Sequence, residues 1–98
     1  MEQPDPTIHA PIRLKIMAAL KPLPPKEMLE FVRLKGIVGA TEGNLGAHIG
    51  TLESAGYVQV VKDFNGKHPR TRVALTKAGR RAFDDYIGYL RDIIDSGA

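Results

Sequence analysis

Residues 41–76 read TEGNLGAHIGTLESAGYVQVVKDFNGKHPRTRVALT, and this stretch decides the fold. Thr41 suits the start of a helix, because its hydroxyl can accept an N–H from the first turn. Glu42 beside it complements the positive helix terminus. Leu45, Ile49 and Leu52 then fall at i, i+4 and i+7, one apolar stripe along the helix. Gly56 ends it in the left-handed conformation that glycine tolerates. Tyr57 to Lys62 and Arg72 to Thr76 have strand composition, and Val73 and Leu75 alternate with Arg72 and Ala74. Between the strands, Asp63 to Arg70 reads as a basic loop tipped by Asn65-Gly66, a strong tight-turn signal.

Working outward, the flanks supply the rest of a small core. Residues 1–8 are expected to fray, since Pro4 and Pro6 oppose helix. From His9 to Leu20 the spacing of Ile12, Ile16, Ala19 and Leu20, with Leu14 and Met17, predicts a helix apolar on more than one side. Pro11 fits its first turn, where a missing N–H costs nothing. Lys21-Pro22-Leu23-Pro24-Pro25 ends it. A second helix is expected from Lys26 to Val38, with Met28, Phe31, Val32 and Leu34 turned inward and Gly39-Ala40 making the turn. The last helix is capped by Thr76 and runs to about Ile94. Its stripe of Ala82, Phe83, Tyr86, Ile87, Leu90, Ile93 and Ile94 is wider than one contact with a small core requires. The expected class is therefore mainly α with a small β-hairpin (α+β), one domain over residues 9–96 whose last helix occupies 77–95.

Composition bounds the function. A chain of 98 residues with 43% hydrophobic and 26% charged residues is an ordinary globular domain. The lack of cysteine removes disulfides and thiolate metal sites and suits a cytoplasmic location. No apolar run approaches the roughly 20 residues of a membrane span, and the start of the chain does not read as a signal peptide. The net charge of +3 conceals a strong asymmetry. Residues 57–81 hold seven basic residues (Lys62, Lys67, Arg70, Arg72, Lys77, Arg80, Arg81) against Asp63 alone. Residues 1–56 balance, and residues 82–98 are acidic. Such a basic segment is the electrostatic footprint of a nucleic-acid partner, the bland alternative being a solvated surface cluster.

The third helix sharpens this. Opposite its apolar stripe lie Gly43, Ala47, Gly50 and Ser54, flanked by Asn44, Gly46 and Thr51. Glycine costs about 1 kcal/mol relative to alanine inside a helix, so three glycines on one surface suggest a purpose. A nearly bare face lets a helix settle deep in the major groove of duplex DNA; the alternative is close packing against another protein segment. Asn44 can pair with adenine and the methyl of Thr51 can touch thymine. His48, at the edge of the buried stripe, fits a structural or phosphate-contacting role. In the hairpin, Lys62, Lys67, Arg70 and Arg72 can reach phosphates or the minor groove. Phe64 is expected to pack at the hairpin base, and His68 to be solvated. Neither the histidines nor the adjacent Asp84-Asp85 pair has metal-ligand spacing, no cofactor loop is present, and no nucleophile–base pair marks an enzyme.

TEGNLGAHIGTLESAGYV followed by K-x-F-x-G-x-x-P-x-T-x-x-x-L-T-x-x-G-R-x-A resembles the short, stand-alone winged-helix transcriptional regulators of bacteria and archaea, relatives of the MarR and ArsR groups. The resemblance extends from about His9 to the end of the last helix. It implies a winged helix-turn-helix fold and a homodimer. DNA would be bound through residues 41–55 (Thr41, Gly43, Asn44, Ala47, His48, Thr51) and a wing at 62–72. Pairing is implied through the first and last helices, with Ile12, Ile16, Phe83, Tyr86, Ile87, Leu90, Ile93 and Ile94 as positions shared between core and seam. The absence of cysteine departs from ArsR-type metal sensing, and no residue argues for a small-molecule effector. The rival is a protein-interaction module using the glycine-rich face for docking.

Overall fold

The computed structural model describes residues 4–97, in the order α1 (Pro11–Leu20), β1 (Leu29–Glu30), α2 (Phe31–Val38), α3 (Glu42–Ser54), β2 (Val58–Asn65), β3 (His68–Leu75) and α4 (Lys77–Asp95). The three strands form one antiparallel sheet in the order β1-β3-β2. Helices α1, α2 and α3 enclose a core of Ile16, Met17, Leu20, Leu34, Val38, Leu45, Ile49 and Leu52, which Val58, Val73 and Leu75 close from the sheet side. Leu45 and Leu52 are fully buried and Ile49 nearly so, as the i, i+4, i+7 stripe requires. The Thr41 hydroxyl accepts from the Asn44 N–H at 3.2 Å, closing the cap at the start of α3.

Two parts of the chain depart from the sequence reading. The second helix begins at Phe31, not Lys26. Pro24 and Pro25 open a turn closed by Glu27 N–H donating to the Pro24 carbonyl at 3.1 Å, and Lys26 lies within it at φ +73°. The following Leu29 and Glu30 pair with Val73 and Arg72 of β3. Leu34 and Val38, four residues apart, are the positions of α2 that face the core, so Val32, expected inside, points away from it and is 75% exposed. The first residues differ as well. Asp5 to Ile8, expected to fray, turn back on the body: Asp5 accepts from the Thr7 N–H at 2.9 Å and from the Tyr57 hydroxyl, and Ile8 is fully buried. Arg13 ties this segment down by donating to the carbonyls of Thr7 and Pro6. Residues 1–3, included in the same expectation, lie outside the described residues.

Helix α4 is locked to the end of the sheet. Thr76 Oγ1 donates to the Gly56 carbonyl at 2.6 Å and accepts from the Gly79 N–H at 3.0 Å, while the Thr76 N–H donates to the Tyr57 carbonyl. Gly79 is buried in this junction, and a Cβ there would stand 2.1 Å from the Tyr57 carbonyl oxygen. Only glycine lets the helix approach so closely. Arg80, one residue on, donates to the carbonyls of Lys21 and Leu23 at 3.2 and 2.6 Å, and Lys21 pairs with Asp84 at 2.8 Å. These contacts join α4 to the end of α1. Farther along, α4 runs from the buried Phe83 and Tyr86 to the exposed Ile93 and Ile94.

Candidate nucleic-acid interface

Helix α3 and the β2–β3 hairpin stand side by side. Helix α3 presents Gly43, Asn44, Gly46, Ala47, Thr51 and Ser54 to solvent. A Cβ built at Gly43, Gly46 or Gly50 would meet nothing within 4 Å, so no neighbouring segment among the described residues requires these glycines. Close packing among the described residues therefore does not explain them. Thr51 Oγ1 donates to the Ala47 carbonyl at 3.2 Å, which leaves its methyl group and an acceptor lone pair available. The Asn44 side chain makes no hydrogen bond among the described residues.

The hairpin rises beside this helix. A groove of about 370 Å³ separates them, lined by Glu42, Gly46, Gly50 and Glu53 from α3 and by Val60, Lys62 and Thr71 from the strands. The strands extend farther than their composition suggests. β2 continues to Asn65 and β3 begins at His68, so nearly all of the expected loop from Asp63 to Arg70 is paired backbone. The turn is the dipeptide Gly66-Lys67, one residue later than the Asn65-Gly66 signal, with φ +65° at Gly66. A positive φ at the first central residue matches the strand twist of a two-residue hairpin. Pro69 is tolerated in β3 because it lies beyond the reach of β1, whose pairing covers only Arg72 and Val73.

The cations of this segment are not equivalent. Arg70 binds Asp63 through two nitrogens, Nε at 2.9 Å and Nη2 at 3.1 Å, and Arg72 Nη2 reaches the same carboxylate at 2.8 Å. Asp63 and Arg70 are cross-strand partners, so the pleat sets them side by side. The hydrogen bond from Arg70 holds the Asp63 carboxyl below the usual carboxylate range, outweighing its partial desolvation. Arg70 and Arg72, expected as free phosphate ligands, are thus half-buried and share one carboxylate. Arg80 is committed to the carbonyls of Lys21 and Leu23, just past α1. Lys62, Lys67, Lys77 and Arg81 are exposed and form no ion pair among the described residues.

His48 faces Arg13, with Nη1 3.1 Å from Nδ1. Because a guanidinium only donates, Nδ1 is the acceptor in this contact. That contact ties α3 to α1 and gives the residue a structural place. Phe64 reverses the expectation that it packs at the hairpin base. It is 68% exposed, opposite Pro69 and one pair from the hairpin turn. Of the eight positions expected to be shared between core and seam, Ile16, Phe83 and Tyr86 are buried in the core. Ile12, Ile87 and Leu90 pack against that core half-buried, and Ile93 and Ile94 are exposed. Sequence reasoning passed over Asp63 as a latch and Arg13 as a strap, and the lone acid inside a run of cations was the available signal for the first.

Comparison with known proteins agrees with this geometry. The sequence profile of the winged helix DNA-binding domain matches residues 12–94. An uncharacterized protein of Methanocaldococcus jannaschii is 38% identical over 76 residues, which span 78% of this chain and 79% of that protein. Among solved structures, a transcriptional regulator homologue from Pyrococcus horikoshii OT3 superposes with a TM-score of 0.83 at 31% identity, covering 92% of this chain and 86% of the other. A MarR-family regulator from Silicibacter pomeroyi shares the fold, with a TM-score of 0.67 at 22% identity over 89% of this chain and 56% of its own. With hairpin, bare helix face and fold in register, the chain belongs to the winged helix DNA-binding domain family.

Proposed function

We propose that this regulator binds duplex DNA as a homodimer with sequence selectivity, seating α3 in the major groove and laying the β2–β3 wing along the adjacent backbone. The observation that carries the reading is the open face of α3: three glycines, none required by packing, beside a cation-bearing hairpin. A helix without side chains on one face brings its backbone close to base edges. Asn44 and Thr51 are the side chains placed to read them. Thr41, Gly43 and Ala47 form the surface that meets the groove, and His48 braces the helix from behind through Arg13. Lys62 and Lys67 supply phosphate contacts directly, whereas Arg70 and Arg72 contribute only as far as Asp63 releases them. In a two-fold dimer the two α3 helices would enter successive major grooves, about 34–36 Å apart.

The test is anisotropy of a labelled duplex titrated across salt, for the wild type and for Gly43→Leu/Gly50→Leu. A Cβ at either position would meet nothing within 4 Å and glycine is a poor helix former, so thermal melting should show the double variant at least as stable as the wild type. Its DNA affinity should nevertheless fall at least tenfold. A wild type that fails to bind any duplex at low salt would leave the protein-interaction reading of the glycine face in its place.

A further inference from the structure

We infer that Phe64 is an apolar wedge that the wing inserts at a base step of duplex DNA, with Lys62 and Lys67 on the flanking phosphates. The inference rests on the DNA-binding reading above and concerns how the wing engages. Three observations meet at this residue. First, Phe64 is 68% exposed, whereas Phe83 is buried in the core and Phe31 packs against it. A large aromatic left in water near the end of a projecting hairpin gains from any apolar contact there. Second, the pleat decides which side it occupies. Val58 and Val60 turn inward with their cross-strand partners Leu75 and Val73, and side chains two residues apart share a face. Lys62 and Phe64 continue that face, and Lys62 lines the groove shared with α3. Third, the arginines that would otherwise enter a minor groove from the wing, Arg70 and Arg72, occupy the opposite face and are held by Asp63.

The side of the wing turned to the recognition helix thus carries an aromatic ring and a lysine, with a second lysine at the Gly66-Lys67 turn. An aromatic flanked by cations fits a stack of bases bordered by phosphates, and the surrounding positive charge disfavours a second copy of this basic hairpin as the occupant. Pro69, directly across the strand, stiffens the platform. Apolar side chains that enter between base steps unstack and kink the duplex, most cheaply at flexible TA or CA/TG steps. The contribution is apolar, so it adds affinity without releasing counterions.

The experiment measures binding of an end-labelled duplex containing TA steps, by anisotropy across salt and by end-to-end energy transfer. It compares the wild type with Phe64→Ala, Phe64→Leu and Lys62→Ala. Phe64→Ala should weaken binding roughly ten- to hundredfold with an unchanged salt slope and should abolish the rise in energy transfer that reports bending. Phe64→Leu should retain part of both. Lys62→Ala should instead lower the slope by about one. If Phe64→Ala binds and bends the duplex like the wild type, the wedge is overturned while DNA binding stands. If Phe64→Ala alters oligomeric mass and leaves affinity intact, the residue serves protein contact and the wedge is again overturned. If the wild type binds no duplex at low salt, the DNA-binding reading fails first, and the wedge with it.

Discussion

Glycine residues in this chain have opposite meanings that only their surroundings separate. At Gly79 a Cβ would collide with the Tyr57 carbonyl at 2.1 Å, whereas at Gly36 and Gly88 it would meet nothing. Gly79→Ala should therefore destabilise the fold by about 1–3 kcal/mol through overpacking against backbone that cannot yield. Gly36→Ala and Gly88→Ala should each stabilise it by roughly 0.5–1 kcal/mol. Thermal melts of the three variants check this, and an unchanged midpoint for Gly79→Ala would refute the close approach. Tyr57 supplies a second test at the same junction. Its hydroxyl donates to Asp5, and this bond, with desolvation and the Asp5 charge, pushes its pKa from 10.0 up to about 12. A raised pKa means the bond contributes fully below the unfolded value near 10 and is lost as pH climbs toward 12. Absorbance titration should show one late-ionising tyrosine that disappears in Asp5→Ala.

At the scale of elements, the wing departs furthest from a simple reading of its charges. Seven cations in residues 57–81 mark the hairpin and the start of the last helix as a basic segment. Folding sends Arg80 to the end of α1 and Arg70 and Arg72 to Asp63, leaving Lys62, Lys67, Lys77 and Arg81 exposed. Asp63→Asn should free both arginines, raise duplex affinity at low salt, and steepen the salt slope by up to roughly two. Equal slopes for the variant and the wild type would mean that the arginines already leave the carboxylate on binding. Because Arg70 depresses the Asp63 pKa, the latch is intact above the unfolded carboxyl value near 3.9 and opens as pH falls through the lower folded value. The latch is therefore closed throughout the neutral range. The other element-scale surprise is β1. Met28-Leu29-Glu30-Phe31 carries a helical pattern, yet Leu29 and Glu30 are drawn into the sheet as soon as Pro24, Pro25 and Lys26 have turned the chain.

Across the whole molecule, 53 × 26 × 21 Å in extent, large apolar side chains are exposed on α2 (Val32, Ile37), on the wing (Phe64) and at the end of α4. Ile94 is 72% and Ile93 38% exposed, next to the half-buried Leu90. We propose this end of α4 as the dimer seam, with Ile12 and Ile87 behind it. Neither Ile93 nor Ile94 belongs to the buried core, so Ile93→Lys/Ile94→Lys should leave the protomer folded and halve its mass in light scattering. A mass unchanged from the wild type would move the seam elsewhere. Dimer loss should also cost affinity for paired half-sites more than for a single one.

What the sequence determined by itself was whatever local chemistry encodes. The caps at Thr41 and Thr76, the stripe of Leu45, Ile49 and Leu52, and the tight turn near Gly66 each follow from residues within one or two turns of chain, and together they made the winged helix legible. Tertiary structure decided what depends on neighbours distant in sequence. The pairing of Leu29 with Val73 places β1, the alternating pleat brings Asp63 between Arg70 and Arg72, and Tyr57 meets Asp5 across 52 residues. Which glycine is indispensable, which arginine is free and which phenylalanine stays in water are facts of packing. One-dimensional periodicity carries direction and period, but not the identity of the atom on the other side.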